Sequence, residues 1–110
     1  RKVVDAIHID EKVTDYLLNI VFATREPAKY KVDIEGLLEH GASPRASMAF
    51  HRCAKARAFL GGRGFVTPHD IKMVAHSVLR HRLRLSYEAE AEELTTDDVI
   101  DRILDTLMVP

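Results

Sequence analysis

The chain has 110 residues and a mass of 12.4 kDa, with 46% hydrophobic and 30% charged residues and a formal net charge of -1. That is the size and balance of one globular domain with a single modest core, small for an enzyme that carries its own cofactor site. No apolar run approaches the ~20 residues that cross a bilayer, and the lone Cys53 excludes an internal disulfide and suits a reducing, cytoplasmic compartment.

The near-zero net charge conceals a segregation. Residues 45–84 hold nine Lys/Arg against one acid, Asp70, whereas residues 85–110 hold eight acids against one Arg, Arg102. Residues 1–44 are mixed, with six basic and eight acidic residues. Such blocks predict either a polarised surface or pairing of the tail against the middle.

Residues 1–9 read as an extended connector with Val3, Val4, Ile7 and Ile9 as anchors; opening on Arg1 without an initiator Met, it reads as a hinge from a missing preceding part. The domain proper is expected over residues 10–110. Asp10 is an N-cap candidate for a first helix over 11–24, in which Val13, Tyr16, Leu17, Ile20, Val21 and Thr24 form an amphipathic stripe. Glu26-Pro27 stops it, and 27–42 reads as loop with at most one turn around Glu35–Glu39.

Ser43 is a good N-cap and Pro44 suits the first helical position, which predicts a second helix over 44–60. Arg45 then falls in the first turn, where the positive end of the helix dipole disfavours a cation by roughly 0.3–1 kcal/mol. An arginine set there makes most sense if an anion meets both it and the exposed N–H groups of the helix end. One face gathers Ala46, Ala49, Phe50, Cys53 and Leu60, together with Arg57, which must snorkel or be paired. The opposite face carries Arg45, Met48, Arg52, Lys55 and Phe59. Gly61-Gly62-Arg63-Gly64 reads as a C-cap and turn, not a phosphate loop, because no strand precedes it and no G-K-[ST] follows.

Thr67-Pro68 repeats the cap-plus-proline signal for a third helix over 68–80. Phe65-Val66 and Leu83–Ser86 are candidates for a two-stranded ribbon, and Tyr87–Leu94 is acidic and unassigned. Thr96 caps a last helix over 97–108 with Val99, Ile100, Ile103, Leu104 and Leu107 apolar. The expected architecture is all-α: a small four-helix domain with at most a minimal β ribbon.

The six histidines lie without an i, i+4 pair or H-E-x-x-H, and one cysteine makes no zinc ribbon, so no metal site is expected. No G-x-S-x-G surrounds a serine, and Cys53 on an apolar face reads as inert packing. The segment Arg80-His81-Arg82-Leu83-Arg84 is a weak nucleic-acid candidate, since no aromatics interleave with the basic residues and an acidic tail is at hand.

Five motifs in fixed order extend this reading. G-A-S-P-R-A-S at 41–47, A-K-A-x-A-F-L-x-G-R at 54–63, V-T-P-x-D-I at 66–71, V-L-R-H-R-L-x-L-S-Y-E-A-E-A-E at 78–92 and D-D-V-I-x-R-I-L-D-T at 97–106 together resemble the C-terminal lid of MoxR-type AAA+ ATPases. Thr24-Arg25-Glu26-Pro27 resembles the end of that family's first lid helix, while 27–40 matches no family pattern. The resemblance implies a helical lid that closes over ATP held by an α/β core, in rings that are as a rule hexameric. It implies ATP and Mg²⁺ in the full-length parent, ATP hydrolysis there, and chaperone-like remodelling or maturation of partners such as von Willebrand factor A domain proteins. It makes Arg45 the sensor 2 arginine on the nucleotide phosphates, with Ser43 and Pro44 aiming it and the backbone near Thr24–Pro27 close to adenine or ribose. Arg57 departs from the aliphatic residue the family suggests, and would mark a neighbour-subunit contact. No G-x-x-x-x-G-K-[ST] occurs in these 110 residues, so the chain alone is expected to be catalytically inactive and to bind ATP weakly or not at all. The alternative reading is a free-standing helical module that binds nucleic acid or protein.

Overall fold

The computed structural model describes residues 6–110. The first helix, α1 (Glu11–Arg25), starts where the Asp10 carboxylate accepts from the Lys12 N–H at 3.0 Å. Its buried face is Val13, Tyr16, Leu17, Ile20, Val21 and Thr24, with Ala23 added. Most of the expected connector falls on residues 1–5, which lie outside the described residues. Its end is fastened to the domain: Ile7 is buried, and His8 forms an isolated parallel bridge to Phe65.

After α1 a 3₁₀ turn (Pro27–Tyr30) and a turn with Gly36 at φ 79 lead into strand β1 (Leu38–His40). β1 pairs antiparallel with β2 (Arg84–Leu85), so the ribbon exists but with a different partner from the one expected. Phe65-Val66 is not its mate because that segment is taken by His8, whose N–H donates to Gly64 O and whose carbonyl accepts from Val66 N. Ser86 ties the ribbon further, with its Oγ donating to Gly36 O at 2.6 Å.

Helix α2 (Ala46–Leu60) runs beside α3 (Pro68–Leu79), which begins at the expected cap, Thr67. The buried positions of α2 are Ala46, Phe50, Ala54 and Ala58. This four-residue spacing corrects the expected face: Cys53 and Leu60 are exposed, Leu60 by 83%. Three alanines on one ridge let the α3 backbone come close, and the strip that contacts it is set by them instead of by the larger Cys53 and Leu60. The acidic segment forms a short helix, α4 (Tyr87–Ala91), capped by Ser86. The last helix is α5 (Thr96–Thr106), capped by Thr95 and not Thr96, because only Thr95 stands three residues before an acid that closes a capping box, Asp98. Tail and middle do pair: Arg80 makes two hydrogen bonds to Asp97 and His76 meets Asp101 at 2.7 Å.

Two local devices fix this frame. The first is Asp70, whose side chain is fully buried. The α2–α3 turn, closed by Gly62 at φ 76 and by the Arg63 N–H on Ala58 O, swings Arg63 back onto the Asp70 carboxylate in a two-pronged pair at 2.5 and 2.7 Å. Thr67 donates to the same carboxylate from its backbone and its hydroxyl. Arg57 Nε lies 3.3 Å away, so the arginine on the apolar side of α2 is paired within the domain. Burial alone would raise the Asp70 carboxyl, but the Arg63 and Thr67 hydrogen bonds outweigh it and bring the pKa down to about 2.

The second device is Gly41. A Cβ there would stand 2.4 Å from Thr24 O and 2.7 Å from Thr24 C, so two backbones meet where no side chain fits. The contact is reinforced by the Ala42 N–H donating to Thr24 Oγ1 at 2.9 Å, while that hydroxyl donates back to Val21 O. Arg25 Nη1 donates to Ala42 O. The end of α1 thus holds the chain that enters α2.

Asp70→Asn is expected to cost about 3 kcal/mol, since it leaves two arginines beside a buried neutral amide. The Asp70 pKa is depressed on folding, so its contribution is complete above about pH 4 and lost as pH falls through about 2. Urea unfolding should therefore show the gap between wild type and Asp70→Asn narrowing from pH 5 to pH 2. Gly41→Ala is expected to lower stability by about 2 kcal/mol, as overpacking against backbone does; an unchanged unfolding midpoint would contradict the contact described.

Candidate functional site

Ser43, Pro44 and Arg45 lie on the segment that Gly41 and Ala42 clamp to Thr24. They form a tight turn ahead of α2 and not its first α-helical turn. Ala46, Ser47 and Met48 donate to Ser43 O, Pro44 O and Arg45 O at 2.8, 3.1 and 3.0 Å, each a three-residue step. Ser43 still acts as a cap, with its Oγ accepting from the Arg45 N–H at 3.2 Å. The expected row of free N–H groups is therefore absent, because proline has none and the tight turn satisfies the others internally. What an anion would meet here is side chains.

Those side chains converge on a groove of about 820 Å³ lined by Ser43, Arg45, Met48, Ala49, Arg52 and Arg82, together with Gly41 and Ala46. It carries three guanidinium groups and no carboxylate. Arg45 and Arg52 are exposed, and their guanidinium groups make no hydrogen bond or ion pair among the described residues. Arg82 is anchored by Nη1 donating to Val78 O at 2.6 Å, which leaves its other donors free of any acid. The groove offers a Mg²⁺ ion no carboxylate, and among the described residues no group of three or more His, Cys, Asp or Glu could hold a metal. No helix among them is long and apolar enough to cross a membrane.

Arg45 and Ser43 both line this groove, whereas Pro44 does not and only shapes the turn. Arg52 and Arg82 were not anticipated as site residues. Arg52 was within reach of sequence reasoning, since it stands seven residues, two helical turns, after Arg45 on one face. Arg82 was hidden within the basic run 80–84, and only the antiparallel return of α3 brings it beside the start of α2. The rest of that run is engaged elsewhere: Arg80 with Asp97 and Arg84 with Glu39 at 3.6 Å.

Known proteins are similar to this chain. The family model of the AAA lid domain matches residues 32–103. Chaperone MoxR1 of Mycobacterium tuberculosis is 40% identical over 103 residues, covering 93% of this chain and 27% of that protein. Protein MoxR of Paracoccus denitrificans is 34% identical, covering 94% of this chain and 32% of that protein. A crystal structure described as a "putative ATPase" from Cytophaga hutchinsonii superposes with a TM-score of 0.93 at 41% identity, covering 99% of this chain and 33% of that one. The chain spans a third or less of the length of these relatives. With the family model matching about two thirds of the chain and these relatives matching nearly all of it, the chain belongs to the AAA lid domain family and is the lid of a MoxR-type AAA+ ATPase.

Proposed function

We propose that this domain closes over ATP bound to an α/β core of the full-length protein and that Arg45 is its sensor 2 residue, touching the nucleotide phosphates. The observation that carries the reading is the groove in which Arg45, Arg52 and Arg82 face outward without a carboxylate partner. Three like charges in one groove repel each other, and an anion that entered would relieve that cost. Ser43 fixes the Arg45 backbone by accepting its N–H, Pro44 sets the turn, and the Gly41–Thr24 contact holds that turn on α1. Thr24–Pro27 thereby stands next to the phosphate-reading turn, in keeping with a place near adenine or ribose.

The chemistry supplied by the full-length protein is phosphoryl transfer to water, with Mg²⁺ bound outside this domain. There a cation placed on the transferring group contributes by charge stabilisation and positioning. Loss of the γ-phosphate would remove a charge-assisted contact from Arg45 and let the lid turn about the connector over residues 1–9. In a cytoplasmic ring, as a rule a hexamer, such turning would drive remodelling or maturation of partner proteins, with von Willebrand factor A domain proteins as candidates. The relative named Chaperone MoxR1 supports the chaperone-like part of this reading. Nucleic-acid binding by 80–84 is less favoured, because Arg80 and Arg84 already spend their charge on Asp97 and Glu39.

Arg45→Ala in the full-length protein at saturating ATP is expected to lower turnover ~10-fold or more, equivalent to at least ~1.4 kcal/mol of transition-state stabilisation. Unchanged turnover together with unchanged ATP affinity would return Arg45 to an ordinary surface residue.

A further inference from the structure

Charge pairing in this domain is uneven in a way that singles out two more residues. The acids near the other arginines are used: Asp70 by Arg57 and Arg63, Asp97 by Arg80, Glu39 by Arg84. Arg25 and Arg102 rest on the carbonyls of Ala42 and Asp33. Among the described residues, Arg45 and Arg52 alone of the arginines have a guanidinium that makes neither a hydrogen bond nor an ion pair, and both line the groove that also holds Arg82. Arg82 is pinned by one nitrogen to the last turn of α3, which leaves the other edge of its fork for a ligand.

We propose that Arg52 and Arg82 complete, with Arg45, a cradle for a linear triphosphate, so that the lid grips the phosphate chain of a nucleoside triphosphate at three points. This rests on the reading of Arg45 as a phosphate contact and extends it to residues that reading does not need. Size selects the ligand class. Arg52 lies in the second turn of α2, about 10 Å along the axis from the turn that carries Arg45, and helical side chains lean toward the N-terminus, which brings Arg52 back toward that turn. A single phosphate satisfies one end of such a groove, whereas a chain of phosphoryl groups reaches along it. Ala46 and Ala49, the small lining residues of α2, leave room for the chain to lie against the helix.

The test is an amide NMR titration of this chain with inorganic tripolyphosphate and, separately, orthophosphate at constant ionic strength. The three arginines are exposed, so Arg45→Ala, Arg52→Gln and Arg82→Gln leave the core intact, and unfolding midpoints verify it. Tripolyphosphate is expected to move the amides of Ser43–Met48 and those around Arg52 and Arg82. Arg52→Gln and Arg82→Gln should each weaken it at least five-fold while leaving the weaker orthophosphate response unchanged. A response lost in Arg45→Ala but untouched by the other two variants overturns the cradle and leaves Arg45 as a phosphate contact. A response lost in those two variants but not in Arg45→Ala overturns both readings. No tripolyphosphate response in wild type overturns the cradle, whatever Arg45→Ala does to turnover in the full-length protein.

Discussion

The approach of Gly41 to the Thr24 carbonyl governs most of what matters in this domain. It is a contact between two backbones, so it has no rotamer freedom, and any side chain at position 41 would force α1 and α2 apart. The hydroxyl of Thr24 turns that contact into a joint by accepting from Ala42 and donating to Val21. The next three residues are Ser43, Pro44 and Arg45, and their turn is stiff because proline fixes its own φ and Ser43 holds the Arg45 N–H. A long exposed side chain is thus mounted on a rigid base, as the proposed phosphate contact requires.

The same economy appears in the charges. A domain with 16 basic and 17 acidic residues could have paired nearly all of them. Instead the buried Asp70 draws two arginines to the far end of α2, the tail acids settle on Arg80 and His76, and the groove at the near end is left wholly basic. Asp70 is therefore structural, a hub that closes the α2–α3 turn, and the groove is the part of the surface that folding alone does not explain. Opposite ends of one helix carry the two roles.

Much of this was legible in the sequence, for definable reasons. α1 and α3 were read within a residue or two because cap, stripe and proline signals agree there. The Ser43-Pro44-Arg45 element was found from its cap chemistry, although the turn proved tighter than an α-helical start. What failed was long-range. The alanine-rich α2 offers two plausible apolar strips, and only packing against α3 decides that Ala54 and Ala58, not Cys53 and Leu60, face inward. β1 was missed because Leu38–His40 has no strand signal of its own and gains one from Arg84–Leu85, far along the chain. Arg82 and the Arg63–Asp70 pair were missed for the same reason: each depends on how the α2–α3 hairpin closes.

The most direct measurement is a crystal structure of the full-length protein with a non-hydrolysable ATP analogue. The account predicts the Arg45 guanidinium at hydrogen-bond distance, about 3 Å, from a γ-phosphate oxygen, with the groove of Arg52 and Arg82 turned toward the triphosphate. A triphosphate held wholly by other residues, with the Arg45 groove open to solvent, would contradict it.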